Sequence, residues 1–234
     1  MNDVSISIFL PAYNEEANIR NAVESCIEVL RDVSTDFEVI VVDDASTDNT
    51  GALADQLSNE YEQVMVVHHK KNTKLGGALR TGFRACKKDI IFYTDADSPV
   101  DMTDLKKVLP LLKEYDFITG YRLNRDEPLH RKIYSACYNW LIRIVFGLKV
   151  RDVNFSFKLL KKEILEKIQL EAQGSFIDAE LLLEAKRYGF RIHEVGVQYY
   201  PRKFGKSTLA KPGIILTILQ EMSRYYFYRY RKGN

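Results

Sequence analysis

The stretch Asp89-Ile90-Ile91-Phe92-Tyr93-Thr94-Asp95-Ala96-Asp97 decides the fold. A short apolar run bounded by polar residues predicts a buried strand over 90–94. The strand ends in two carboxylates one residue apart. Ionised carboxylates are seldom fully buried without a partner or a metal, so the pair belongs in a crevice at the strand end. A hard divalent cation that shares its shell with phosphate oxygens suits two such groups. The plainer alternative makes Asp97 a cap for the next helix and leaves Asp95 solvated.

Toward the N-terminus, residues 4–10 predict a first strand, broken by Pro11-Ala12-Tyr13-Asn14-Glu15-Glu16. Residues 17–31 place Ile19, Ala22, Val23, Cys26, Ile27 and Leu30 at helical spacing, and Glu15 and Glu16 suit the electropositive start of that helix. A second strand is predicted over 37–42, ending in short polar residues over 43–50, with a helix over 51–57. Residues 64–68 predict a third strand, and 72–84 a helix that starts at Gly76-Gly77. Strand, polar loop, helix, strand in repetition means parallel strands joined by right-handed crossovers. The expected class is therefore α/β, a mostly parallel sheet flanked by helices. Ligands in such sheets sit outside the carboxyl ends of the strands. Three such ends, 11–16, 43–50 and 95–99, converge on one crevice.

Toward the C-terminus the pattern loosens. A helix is predicted over 103–113, a strand over 117–122 and a long amphipathic helix over 131–146. Residues 151–158 are short and mixed, and 159–168 read as a helix. Another helix, over 176–188, opens with Asp178 and Glu180, where acids favour the helix dipole. Residues 191–200 read as a strand, 201–207 as a basic loop, and 212–230 as a final helix with Pro212 in its first turn.

Composition narrows the function. The 234 residues suffice for one large domain or two small ones, and 46% hydrophobic with 28% charged is ordinary for a globular chain. A net charge of +2 gives no global signal for nucleic acid, and none is expected as a partner. Cys26, Cys86 and Cys137 are odd in number and far apart, which fits reduced thiols in the cytoplasm. Met1-Asn2-Asp3 leads straight into a strand, so no signal peptide is expected, and no run of about 18 apolar residues encodes a membrane span.

Several side chains carry chemistry. Asp43 and Asp44 can accept from a base N–H or a ribose hydroxyl, and equally fit a turn of capping residues with Ser46, Thr47 and Asp48. Lys74-Leu75-Gly76-Gly77-Ala78 lacks the ending and spacing of a phosphate loop; its glycines suit close approach of a helix end to the sheet or a ligand. Arg122, Arg125, Arg131 and Lys132 cluster beyond a strand end, where they hold a phosphate or face solvent. Arg202, Lys203 and Lys206 form a second basic loop. Asp152 is a general base or one half of a salt bridge near Arg151, and the residue types favour the salt bridge. His68 and His69 have no third ligand at zinc spacing and read as structural.

Four motifs in order resemble the inverting family 2 glycosyltransferases, whose fold is the GT-A fold: Phe9-Leu10-Pro11-Ala12-Tyr13-Asn14-Glu15, then Val41 to Thr50, then Gly76-Gly77-Ala78, then Thr94-Asp95-Ala96-Asp97. Gly120-Tyr121-Arg122, the 131–146 helix, residues 151–158 and the loop Arg202-Lys203-Phe204-Gly205-Lys206-Ser207 are similar to polyprenyl-phosphate glycosyltransferases of the dolichyl-phosphate mannose synthase type. The resemblance implies a GDP- or UDP-linked sugar donor and a polyprenyl or dolichyl phosphate acceptor. By it, Pro11, Tyr13, Glu15 and Asp43 would line the nucleoside, and Asp95 and Asp97 would hold Mg²⁺ or Mn²⁺ against the diphosphate. Arg122 and Arg131 would hold the acceptor phosphate, Asp152 would lie near the sugar, and Arg202 and Lys206 would close over the donor diphosphate. Two positions depart from the pattern. Pro99 stands where the subfamily often has Gln, and Phe155-Ser156-Phe157-Lys158 replaces Ser-Gly-Phe-Arg.

The expected organisation is a catalytic domain over 1–210 and an amphipathic helix with a basic tail over 211–234. Ile214, Ile215, Ile218, Leu219, Met222 and Tyr226 are apolar there, with Arg224, Arg229, Arg231 and Lys232 basic and several tyrosines crowding the end. Such stretches lie at membrane interfaces. This places the protein on the cytoplasmic face of a membrane, with room for a membrane-protein partner. Two rivals stand: a soluble or polysaccharide acceptor, with a general base among Asp152, Asp178 and Glu180, or a non-catalytic nucleotide-sugar binder.

Overall fold

Strands that are apolar on both faces are stable only inside a sheet covered on both sides. The computed structural model, which describes residues 4–97, 100–125, 128–200 and 212–230, puts them there. Seven strands, β1 (Ser5–Ala12), β2 (Asp36–Asp43), β3 (Val64–His68), β4 (Ile90–Tyr93), β5 (Phe117–Leu123), β6 (Lys158–Lys161) and β7 (Ile192–Gln198), form one sheet in the order β3-β2-β1-β4-β6-β5-β7. All pairings are parallel except those of β6, which runs antiparallel to both β4 and β5.

Helices α1 (Ile19–Val33), α2 (Thr50–Glu60) and α4 (Asp104–Val108) cover one face, where Ile8, Leu10, Val39, Val41 and Phe92 point. Helices α3 (Lys74–Ala85), α5 (Leu129–Phe146), α6 (Lys162–Lys167), α7 (Ile177–Arg187) and α8 (Pro212–Tyr225) belong to the other, with Phe9, Ile40, Val42, Ile91 and Tyr93. Past α4 the chain tightens into a 3₁₀ turn (Leu109–Lys113), because Pro110 has no N–H to donate back along an α-helix. The glycines at the start of α3 serve close approach: a Cβ on Gly76 would sit 2.1 Å from the carbonyl oxygen of Ala172, and the Gly76 amide donates to Gln173.

One expected element is wrong. Residues 159–168 read as a helix, but Lys158–Lys161 is a central strand and only Lys162–Lys167 is helical. Leu159 and Leu160 are buried on opposite faces of the sheet. A short apolar run of this kind carries no period of its own, and pairing with β4 and β5 decides its conformation.

Candidate functional site

The loops after β1 and β2 are laced together. Asn14 takes a left-handed backbone, φ 58°, which an Asn tolerates. Its amide donates to Ser46 Oγ at 3.0 Å, and its own Oδ1 accepts from the Thr47 amide at 2.8 Å. The Glu15 amide donates to Thr50 Oγ1 at 2.7 Å, and Glu16 Oε2 accepts from the Asn49 amide at 3.0 Å. Two strand ends that need not meet are thereby fixed as one surface, with Glu15 buried and the Tyr13 side chain exposed on its rim.

Asp43 and Asp44 divide the tasks left open by their sequence. Asp43 accepts from the Ser46 amide at 3.0 Å and lies 2.9 Å from His68 Nδ1. Burial opposes its ionisation, yet these hydrogen bonds outweigh burial and hold the carboxyl below its usual range. Asp44 accepts from the Thr73 amide and hydroxyl, both at 2.7 Å, and meets His69 Nδ1 at 2.6 Å, so it pins the loop before α3. His68 bridges Asp43 and Asp55, and those carboxylates, Asp55 first, raise its pKa. Both histidines are structural, as expected.

At the end of β4, Asp95 and Asp97 are half-buried on either side of buried Ala96. They line a cavity of about 550 Å³ between α1 and residues 94–97 and 100–106. Among the described residues no group of three or more His, Cys, Asp or Glu is placed to cage a cation. Two carboxylates at one strand end fit instead a divalent ion that takes its other oxygens from water and phosphate.

Across β6, on β5, Arg122 meets Asp152 edge-on: Nε donates to Oδ2 at 2.7 Å and an Nη donates to Oδ1 at 3.0 Å. Asp152 is thus half of a salt bridge, though with Arg122 and not with a neighbour of Arg151. The guanidinium also packs on the rings of Phe155 and Tyr199, 5.5 and 5.4 Å from their centroids. Asn139 of α5 ties down the Asp152 segment, donating to the Arg151 carbonyl at 2.9 Å and accepting from the Val153 amide at 3.1 Å. Arg131 is half-buried in the first turn of α5. Arg202, Lys206 and Pro99 lie outside the described residues.

Sequence reasoning missed a polar cluster beneath this site. Lys158 is fully buried in β6, and its ammonium donates to the carbonyls of Val153 and Phe155. Asp178 serves no exposed helix end: it is fully buried, and burial pushes its carboxyl up to about 6. The only sequence signal was a lysine inside an apolar run.

The final helix is also held differently. Arg229, read as part of a basic membrane face, turns inward. It donates to Glu180 and Glu184, each at 2.9 Å, while the Tyr225 hydroxyl donates to Glu184 at 2.7 Å. Glu180 further accepts from the amides of Glu171 and Ala172, so it is committed to the scaffold. Exposed apolar surface also lies on α5, where Leu129 (72%), Trp140 (63%), Ile144, Ile133 and Tyr134 face outward. Leu216, Leu219, Phe227 and Tyr228 are exposed near the C-terminus.

Residues 7–169 match the family model for glycosyl transferase family 2. The chain is 34% identical to glycosyltransferase AglD of Haloferax volcanii over 89% of its own length, but spans only 35% of that relative. It is 29% identical to the undecaprenyl-phosphate mannosyltransferase of Micrococcus luteus, covering 92% of this chain and 91% of that one. It is 28% identical to the dodecaprenyl-phosphate galacturonate synthase of Rhizobium johnstonii, covering 99% and 69%. Among solved structures, glucosyl-3-phosphoglycerate synthase from Mycobacterium tuberculosis, in complex with Mn²⁺, UDP and glucosyl-3-phosphoglycerate, aligns with TM-score 0.68 at 24% identity, over 94% of this chain and 80% of that one. At that identity the likeness carries the fold, and the fold is GT-A.

Proposed function

The chain belongs to glycosyl transferase family 2, and from that premise we propose that it moves a sugar from a nucleoside-diphosphate sugar to a polyprenyl phosphate. One observation carries this reading. In the sheet order, the acidic end of β4 stands between the laced loops of β1 and β2 on one side and the Arg122–Asp152 pair on the other. A donor laid across those strand ends has its nucleoside at Pro11, Tyr13, Glu15 and Asp43 and its diphosphate at Asp95 and Asp97. Mg²⁺ or Mn²⁺ held there would neutralise the diphosphate as it leaves. Arg202 and Lys206 would close over the same group.

Arg122, beyond β6 from the acidic pair, and Arg131, in the first turn of α5, would hold the acceptor phosphate. A phosphate monoester is already anionic near neutral pH, so it needs orientation more than proton removal. One phosphate oxygen forms a bond to the anomeric carbon, the bond to the diphosphate oxygen breaks with its electron pair, and the centre inverts. Asp152, with both oxygens on Arg122, orients that guanidinium and is not required as a base.

The lipid acceptor is supported by the Micrococcus and Rhizobium relatives, whose names specify prenyl phosphates. It is supported also by the outer face of α5, where exposed Leu129, Ile133, Tyr134, Trp140 and Ile144 share a helix with Lys132 and Arg143. Apolar and aromatic side chains beside cations suit a helix lying in an anionic membrane surface. Among the described residues no helix is long and apolar enough to cross a membrane.

The test incubates the protein with radiolabelled UDP- and GDP-sugars, Mn²⁺ and a short polyprenyl phosphate. Label entering the organic phase is the expected result. Label confined to soluble products, or to no product, overturns the lipid acceptor.

A further inference from the structure

A lysine at the centre of a sheet needs a reason. Lys158 lies opposite Tyr93 on β4 and Thr119 on β5, in the interior of all seven strands, with no exposed surface. An unpaired ammonium there is costly, and burial drives its pKa down. The carboxylates of Asp178, Asp152 and Asp95 favour its charge, in that order. Buried charged groups are often replaceable by apolar residues without loss when the opposite charges are replaced with them.

The contacts of the pair explain why polar groups are kept. The Lys158 ammonium ties two carbonyls, those of Val153 at 3.0 Å and of Phe155, in the segment that begins with Asp152. Asp178, in the first turn of α7, lies near the Tyr93 side chain, whose ionisation is opposed first by burial and then by the Asp178 charge, and Tyr93 precedes Asp95 by two residues. Asp178 Oδ1 is buried without a hydrogen-bond partner among the described residues. One cation and one anion therefore reach both walls of the crevice, the Asp152 segment and the acidic strand end, from below. Around Asp178, Ile177, Ala179, Leu181 and Leu182 are apolar and fully buried, while the other buried acids of α7, Glu180 and Glu184, are held by Arg229.

We propose that Lys158 and Asp178 are positioning residues that together fix the distance and angle between the Arg122–Asp152 pair and the Asp95–Asp97 pair. Neither touches substrate. In-line transfer requires the acceptor and the leaving diphosphate to be aligned closely, and a shift of an ångström at such a centre costs about a hundredfold in rate. This inference rests on the transfer reaction proposed above, with the donor on one wall and the acceptor on the other.

The test uses D178N and K158M in the full chain, with four measurements. These are melting temperature, Mn²⁺-dependent binding of UDP and GDP by calorimetry, turnover, and hydrogen exchange over residues 152–157. Turnover is read as transfer to polyprenyl phosphate if the wild type shows it, and otherwise as nucleotide-sugar hydrolysis. Failure of the lipid reading thus leaves this test standing. D178N, which keeps the side-chain volume, is expected to bind nucleotide within about twofold of wild type and to lose kcat by about tenfold or more at temperatures well below its own melting point. K158M is expected to lose kcat similarly and to exchange faster over 152–157 alone. The two losses should be less than additive in the double variant, as for groups acting through one unit. Retention of wild-type kcat by D178N overturns the proposal. So does a fall in nucleotide affinity equal to the fall in kcat.

Discussion

The two halves of the crevice are built in opposite ways. On the β1–β2 side, short polar side chains satisfy nearby amides across two loops, as Asn14 does with Ser46 and Thr47, and Glu15 with Thr50. On the β5–β6 side, long charged side chains reach across the fold, Arg122 to Asp152 and Arg229 to Glu180 and Glu184. There buried polar atoms of Asp178, Tyr138 and Asn154 have no hydrogen-bond partner among the described residues. The first side is a preformed mould, stable without its ligand. The second concentrates charge and buried polar atoms that no described protein group satisfies.

Substitutions can break that contrast, and the largest effect belongs at the boundary between the halves. Asp97→Ala is expected to remove metal-dependent donor binding and to lower turnover by roughly 10³-fold, with the fold intact. Calorimetry with and without a chelator checks this; unchanged donor affinity would remove Asp97 from the metal site. Next comes Arg229→Ala, which leaves Glu180 and Glu184 buried without their cation and should cost about 3 kcal/mol. In a chain of this size that lowers the melting temperature by roughly 6–12 °C. A loss no greater than that of Thr50→Ala, expected near 1 kcal/mol for one hydrogen bond, would erase the difference between the two sides.

A smaller effect is expected on the outside of α5. Ile133→Glu with Trp140→Glu should weaken binding to anionic vesicles by about tenfold, or 1.4 kcal/mol, without altering nucleotide binding. Equal binding by flotation would leave that face without a membrane role. The smallest effect is His68→Asn. Because Asp55 and Asp43 raise the His68 pKa, its contribution is fully present below the unfolded value of 6.5 and fades as pH rises through the folded one. Urea melts from pH 5 to 9 should show the wild-type advantage over H68N shrinking as the solution becomes more alkaline.

The same contrast explains what the sequence revealed. The elements of the β1–β4 half were legible, since its strands are apolar runs and its turns are Asn, Asp, Ser and Thr, but the bonds that lace its loops, such as Asn14 to Ser46, join residues 32 apart and were not. The place of the acidic pair at a strand end was legible because two carboxylates after a short apolar run end the buried strand. Lys158 was not. Its apolar neighbours carry no strand signal, and its role appears only when Tyr93 and Thr119 are brought beside it. Asp178 read as a dipole-stabilising acid because sequence does not report burial, and Arg229 read as a surface charge because its two glutamates lie on another helix. The pairing of Asp152 was anticipated in kind, while its partner, thirty residues upstream, depended on the register of β5.

The position of β6 has a consequence for how the chain assembles. Strand β4 is complete at Tyr93, but its free edge pairs only with Lys158–Lys161, and β5, made earlier, also waits for that strand. During synthesis the growing polypeptide therefore carries two open, apolar β edges until β6 emerges, and exposed edges of this kind recruit other chains. Insertion of that lysine-bounded strand joins β5 to the rest of the sheet, and β7, made last, then pairs with the outer edge of β5, so folding of this chain is a race between insertion of a four-residue strand and aggregation.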